Sequence, residues 1–411
     1  MTSVISVLNN WTKNLPKSDQ NYLARHGFDF LKCLKQFRVE KAFLRDCLRY
    51  WDPVLHLFKF PRGECVPLPE ELAFICGWGA LERPVVIGSY SDYRVKFSNF
   101  LEVPITELEP LFDGDSVDLI SLMGKFSNDL GVRDKSRVRV MAYMLVHVYC
   151  FNKDFEVPFS GNPRLIDVVI QMEHKRSPIT LILAETLLGL DSVKADPTND
   201  FTGSPWLLQI WLMERFNQFR LEASVSSYAP KDLCSRGKVW PNANNRPDNY
   251  FDNYIRSQHL VWRVLWWKIP SFALTEEPHG QIICGLEYAI CIHPNRVKRQ
   301  MGFEQTIPLS DSLGTPYIDV NAQFMADWLL AWEKRVVFPS PDRFTSPLVS
   351  QEYVRWTTCR TPEIRAKLRR REQRDMRWER RAKKMSSYAP EVEHPNPIQG
   401  ESPDDSFEMV S

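Results

Sequence analysis

The side chains that could do chemistry in this chain are carboxylates and guanidiniums, and neither stands in a recognisable catalytic set. Acids lie close together at Glu70-Glu71 and at Asp113, Asp115 and Asp118, with Asp191 further on. Carboxylates gathered by a fold can hold two metal ions for phosphodiester chemistry. Scattered as they are, each is expected to be a solvated surface acid. The segment DGDSVD (113–118) lacks the glycine and the distal glutamate of an EF-hand loop. The nucleophile elbow GxSxG, the phosphate loops GxxxxGK(S/T) and GxGxxG, and the zinc helix HExxH are absent. Nine cysteines stand singly, with no CxxC pair and an odd total. That spacing speaks for free, mostly buried thiols in a reducing compartment, not for zinc. His147 lies in an apolar run and is expected as a core histidine bonded to a backbone group. The sequence assigns no catalytic residue, no metal ligand and no cofactor.

The basic groups carry more. From Thr361-Pro362-Glu363, a cap followed by a proline, a helix is expected over 361–385. It holds Arg365, Lys367, Arg369, Arg370, Arg371, Arg374, Arg377, Arg380, Arg381, Lys383 and Lys384 against Glu372, Asp375 and Glu379. A helix polar on all sides gains nothing by packing on a core. Its charge attracts phosphate backbones, so DNA or RNA is an expected partner, with affinity that falls as salt rises and no sequence preference of its own. Lys367, Arg369, Arg370 and Arg371 form one cluster; Arg380, Arg381, Lys383 and Lys384 form another, spaced like a bipartite nuclear import signal. The competing expectation is a solvated helix laced by pairs such as Glu379–Lys383. A second basic pair, Arg296 and Arg299, would project from one side of a short helix and could take an anion together; salt bridges to acids are the alternative.

The elements that must position these groups are mostly helical. Hydrophobic residues make up 44% of the 411 residues and aromatic ones 12%, enough for a sizeable core. The formal charge of +1 excludes a generally basic coat and hides the basic C-terminal segment. Residues 1–36 read as a loosely attached lead-in. Helical spacing of apolar residues runs from Phe37 to Leu48. Trp51-Asp52-Pro53 breaks it, and VLHLFKF alternates as a strand with Val54, His56, Phe58 and Phe60 on one face. Pro61 to Glu64, with Gly63, is a turn, and Cys65-Val66 begins the return strand. Leu68-Pro69 opens a helix that Gly77 can close. Asn162-Pro163, Ser177-Pro178 and Ser204-Pro205 each place a capping side chain before a helix-starting proline. Residues 221–250 are a polar surface loop. Trp262, Trp266 and Trp267 are expected on a buried helix, and Trp328 and Trp332 on one face of another. Residues 386–411 are expected to be a disordered acidic tail.

Two segments, LRYWDPVLHLFKFPRGECVPLPEELAFICGW and PNRVKRQMGFEQTIP, resemble the plant mobile domain of transposable elements. The second is similar to that family's R-V-x-R-Q-F-G-x-x-Q-x-I-P element, with Met301 where phenylalanine is common. MEHKRSPITLILAETLLGLD and TGSPWLLQIWLMERF are similar to its central block, in the retroelement-derived branch. The likeness spans about residues 40 to 335. It implies a transposable-element origin, and domesticated relatives are nuclear and linked to element silencing or meristem maintenance, some with a fused phosphatase-like domain. No phosphatase metal motif stands in this chain, and the family's aminotransferase-like label finds no lysine in a pyridoxal-phosphate setting. For the shared positions the roles expected are structural. Trp51, Phe58 and Phe60 anchor the hairpin. Pro294 starts a short helix that turns Val297 and Met301 inward, and Gly302 caps it.

The expected fold is mainly α with some β (α+β). A helical domain over 37–345 carries a small β-hairpin near its N-terminal end. The expected function is that of a non-enzymatic nuclear protein binding protein partners, with the cytoplasm as the alternative location. A metal-dependent nuclease or transposition enzyme, with carboxylates converging in one cleft, is the rival. No secretory signal and no run of about 18 apolar residues is seen, so no membrane partner is expected.

Overall fold

The helix Asp134–Cys150 is the centre of the fold. Val140, Met141, Tyr143, Met144, Leu145 and Val148 are all buried, so it is apolar around its circumference and must be covered on every side. Helices Val4–Trp11, Lys17–Arg25, Tyr93–Leu101, Leu119–Ser127, Ile166–Glu173 and Pro205–Arg215 supply that cover. These observations come from a computed structural model that describes residues 4–357 except 14, 35–38, 80, 89–91, 128–133, 154–159, 217–249, 258–259, 265–266, 276–279, 309–316 and 342–348. Residues 1–358 form one compact unit and 359–411 a second. The expected loop over 221–250 (but for Tyr250), the basic helix 361–385 and the acidic tail 386–411 lie outside the described residues, as do Phe37 and Trp266.

The architecture is mainly helical with small sheets, as expected. Every paired strand is antiparallel among the described residues. No helix among them is long and apolar enough to cross a membrane.

The lead-in expectation is corrected. Three helices, Val4–Trp11, Lys17–Arg25 and Asp29–Cys33, stand here, and Val4, Leu8, Leu23, Phe28 and Leu31 are sealed in the core. A buried ion pair adds to this: Arg137 donates from Nη2 to Asp19 Oδ2 at 2.9 Å. The unit also runs past 345, because Gln305 bridges to Val349 and the following helical stretch 351–357 buries Tyr353.

The hairpin is a three-stranded meander, Trp51–Asp52, Leu57–Phe60 and Gly63–Cys65. Residues 53–56 do not continue the strand as their alternation suggested. Asp52 Oδ1 accepts the N–H groups of Val54 (2.9 Å) and Leu55 (3.0 Å), and this side-chain turn bends the chain before Leu57. The return strand starts at Gly63, which pairs with Phe60, and the Trp262 ring occupies the space any Cβ there would need. Trp51, Phe58 and Phe60 anchor the meander as expected. Phe58 lies 4.9 Å from Trp51 and 6.2 Å from Trp211 between ring centroids, and Phe60 lies 5.8 Å from Phe216.

Local stop and start signals hold at most positions. Pro69 opens the helix Pro69–Cys76, and Gly77 closes it at φ 70°. Asn162 Oδ1 accepts Arg164 N–H (3.0 Å) and Ser204 Oγ accepts Leu207 N–H (3.2 Å). Ser177 does not cap. Its backbone is committed on both sides to Arg83 and Val85 at 2.8 Å each, which holds the side chain away from the next helix. The helix Ala322–Glu333 buries both of its tryptophans. Trp328 Nε1 donates to the Ile282 carbonyl (2.9 Å) and Trp332 Nε1 to that of Leu81 (2.7 Å). Around Trp262 no helix forms at 261–264, since Val261 N–H pairs with the Arg215 carbonyl instead (2.8 Å).

Candidate functional site

The expected arginine pair is not an anion site. Pro294–Val297 and Lys298–Met301 make one short helical stretch that turns Val297 and Met301 inward and ends at Gly302, φ 95°. Arg296 is buried and closes on Glu64, with Nε to Oε2 at 2.9 Å and Nη2 to Oε1 at 2.8 Å. Arg299 is half-buried, lies over the Trp262 ring at 3.6 Å and donates from Nη1 to the Arg62 carbonyl at 3.0 Å. Burial lowers its pKa to about 10. The two guanidiniums therefore face different partners. The salt-bridge alternative holds for Arg296.

Glu64 and Arg296 belong to the two segments that carry the sequence resemblance. The central block joins them at a second buried cluster. Glu71 pairs with Arg215, accepts Trp211 Nε1–H (2.7 Å) and accepts a Gln300 Nε2–H (2.6 Å). Gln300 also bonds the backbone of Val66 in both directions, at 2.6 and 3.2 Å. Arg215 is sandwiched by Trp211 and Trp267, 4.7 and 5.3 Å from their centroids. Glu71 is thus no solvated acid. Its charge is held by a cation and by N–H donors, which is what a buried carboxylate requires.

Asp191 is a third buried acid. Its Oδ1 accepts Trp51 Nε1–H at 2.6 Å and its Oδ2 accepts the Tyr317 hydroxyl at 3.1 Å. His56 Nε2 stands 3.0 Å from the same Oδ2, while His56 Nδ1 is 2.9 Å from the Cys291 carbonyl. Burial alone would lower the His56 pKa, but the adjoining carboxylate outweighs it and the net shift is upward. His56 sits at φ 48°, a left-handed backbone, and its ring stands 6.4 Å from that of Trp51 between centroids.

Asp191 and Tyr317 open onto a cleft of about 1300 Å³. One wall is the face of the helix Ile179–Ala195 bearing Glu185, Leu188, Asp191 and Ser192. The other is the turn between strands Gln281–Cys284 and Tyr288–Ile292. These strands pair Cys284 with Ala289, which leaves Gly285, Leu286 and Glu287 as the tip. The approach is close: a Cβ on Gly285 would fall 2.5 Å from Glu185 Oε1 and 2.8 Å from the Tyr288 carbonyl. Glu185 Oε1 accepts the Leu286 N–H at 2.7 Å, and burial raises the Glu185 pKa to about 6. Five carboxylates and two arginines are among the described residues that line the cleft. Arg164 donates to the Leu286 carbonyl at 2.7 Å and stands 3.7 Å from Glu287.

His147 is the expected core histidine. It is buried, its Nε2 accepts the Asn162 N–H at 3.2 Å, and burial lowers its pKa to about 4. Asp115 lines the same cleft as Asp191, whereas Asp113, Asp118 and Glu71 do not line it. Asp113 pairs across a hairpin with Ser116, and Asp118 accepts N–H groups of the helix that follows it. No group of three or more His, Cys, Asp or Glu among the described residues could hold a metal ion. The seven described cysteines are free thiols, six of them buried. Lys367, Arg369, Arg370, Arg371, Arg380, Arg381, Lys383 and Lys384 lie outside the described residues. Sequence reasoning missed Glu64, Arg215, Gln300 and Glu185. A charged residue alone in an apolar helical run, as Glu185 is in ITLILAETLLGL, was the available signal.

The chain is similar to the "Serine/threonine-protein phosphatase 7 long form homolog" of Arabidopsis thaliana, 23% identical over 344 residues, which cover 73% of this chain and 25% of that protein. The chain thus spans about a quarter of the length of the curated relative it matches. No protein-family model matches the chain, and no solved structure does.

Proposed function

We propose that this chain is a non-enzymatic binding protein of the plant mobile domain type, derived from a transposable element, that docks a protein partner in the cleft between the helix Ile179–Ala195 and the turn Gly285–Glu287. One observation carries the reading. Glu64 is spent on Arg296, and Glu71 on Arg215 and Gln300, in the core, while the cleft presents carboxylates and tyrosines to solvent. Polar groups spent on one another brace a scaffold; polar groups left open are the ones a partner can meet. The match to a plant phosphatase homolog supports the family side of the reading, and the phosphatase chemistry stays with the longer relative. The rival, a metal-dependent nuclease, needs carboxylates close enough to share a metal ion; five line the cleft, but no group of three or more among the described residues is so placed.

The test is site-specific photocrosslinking in plant nuclear extract. A photoreactive residue at Ala195, exposed at the cleft wall, is expected to give a discrete adduct that Glu185→Gln abolishes. The same group at Leu330, exposed on the helix Ala322–Glu333, is expected to give none. Equal labelling from both positions contradicts the reading. For the basic segment 361–385 the proposal is nuclear import or attraction to DNA or RNA backbones. Deleting residues 361–411 from a fluorescent fusion is expected to abolish nuclear accumulation; unchanged accumulation removes the import claim.

A further inference from the structure

We infer that the cleft is a receptor for a cationic side chain, an alkylammonium or guanidinium on a partner peptide, held against the rings of Tyr288 and Tyr317 beside the Glu185 carboxylate. The inference rests on the docking reading above and names the chemistry of what docks.

Tyr288 and Tyr317 are exposed to 43% and 50%, yet neither is a loose surface ring. Tyr317 is tied by its hydroxyl to Asp191, and Tyr288, whose backbone pairs opposite Asp319, sets its ring against that of Tyr317. Their centroids stand 6.2 Å apart with the planes tilted by 60°. Two ring faces held at an angle form half of an aromatic cage, and a cation within about 6 Å of a ring centre is drawn to its negative face. Because the Tyr317 ring is already tied at its hydroxyl, little of its freedom is lost when a ligand arrives.

The charge around the cage points the same way. Carboxylates outnumber guanidiniums along the cleft, and both arginines are engaged by backbone carbonyls, Arg164 at Leu286 and Arg94 at Gly114. Glu185 is half-buried, and the Leu286 N–H is its hydrogen-bond donor. A carboxylate so placed is short of compensating charge, and an incoming cation supplies it. An anionic ligand would meet repulsion from the same groups.

The experiment uses the full chain and ligand-observed saturation-transfer NMR. The probes are n-butylammonium, n-butyltrimethylammonium and n-butylguanidinium, which separate lysine, methylated lysine and arginine as sources, with pentanol as the neutral control. Saturation transfer is expected to at least one cation and not to pentanol. Tyr288→Ala and Glu185→Gln are each expected to weaken cation binding about five-fold or more with the melting temperature little changed. Transfer to pentanol equal to that of the cations, transfer to no cation, or cation binding untouched by both substitutions overturns the inference. Crosslinking from Ala195 in the same preparation separates the two claims. An adduct that persists while the probes fail removes only the cation chemistry, whereas loss of both removes the docking reading as well.

Discussion

Arg296 and Glu64, 232 residues apart in the chain, close on each other through two N–H···O bonds in a site where both side chains are about nineteen-twentieths buried. This contact fastens the turn of the N-terminal meander to the short helical stretch after the strand Tyr288–Ile292. Removing one member leaves an uncompensated buried charge. Glu64→Gln and Arg296→Met are each expected to cost about 3–5 kcal/mol of unfolding free energy. The double variant Glu64→Gln/Arg296→Met is expected to recover much of that loss, because no lone charge remains. Urea denaturation of the three variants checks it; single variants within about 1 kcal/mol of the parent would show the pair to be solvated.

Gln300 offers a sharper probe of the same junction. Its amide meets Val66 N–H, the Val66 carbonyl and Glu71 at once. Gln300→Leu keeps the volume and strips all three. It is expected to destabilise by about 2–4 kcal/mol, since a buried backbone N–H and C=O lose their partner. Hydrogen exchange at the Val66 amide should accelerate in this variant. An unchanged rate there would mean that the amide is held by something else.

His56 gives stability a pH dependence of known sign. Its pKa in the folded state is raised above the ordinary 6.5, with burial working against the shift and Asp191 outweighing it. The native state therefore keeps a proton that the unfolded chain has released. Stability from this source is fully present below about 6.5 and is lost as pH rises through the raised value. Denaturation midpoints of the parent are expected to fall from pH 6 towards pH 9, and those of His56→Gln to fall less. Parallel slopes in the two proteins would contradict the assignment.

What the sequence made legible were the features that local chemistry decides. Pro69 and Gly77 bound their helix, Asn162 and Ser204 cap theirs, and Gly302 ends the stretch that turns Val297 and Met301 inward. Trp51, Phe58 and Phe60 pack as their pattern implied. What stayed hidden depends on distant partners. Arg296 looked like a free cation because Glu64 is remote in the chain, and Glu71 and Asp191 looked like surface acids because Arg215 and His56 are also far off in the chain. The first three helices were missed because each is short and only a few apolar residues, such as Val4 and Leu8, mark its inner face. VLHLFKF alternates like a strand along its whole length, but the carboxylate of Asp52 captures the N–H groups of Val54 and Leu55 first.

The proposal that the cleft is built for binding, and not for holding the fold together, is tested most directly by one variant measured in two ways. Glu185 carries a carboxyl whose pKa burial raises to about 6, so above that pH the folded protein bears the cost of an ionised group that its neutral isostere would not. At pH 7.5, Glu185→Gln is expected to unfold at the same or a higher urea concentration than the parent and to lose the adduct formed from Ala195. A variant that loses stability yet keeps the full adduct would contradict the account.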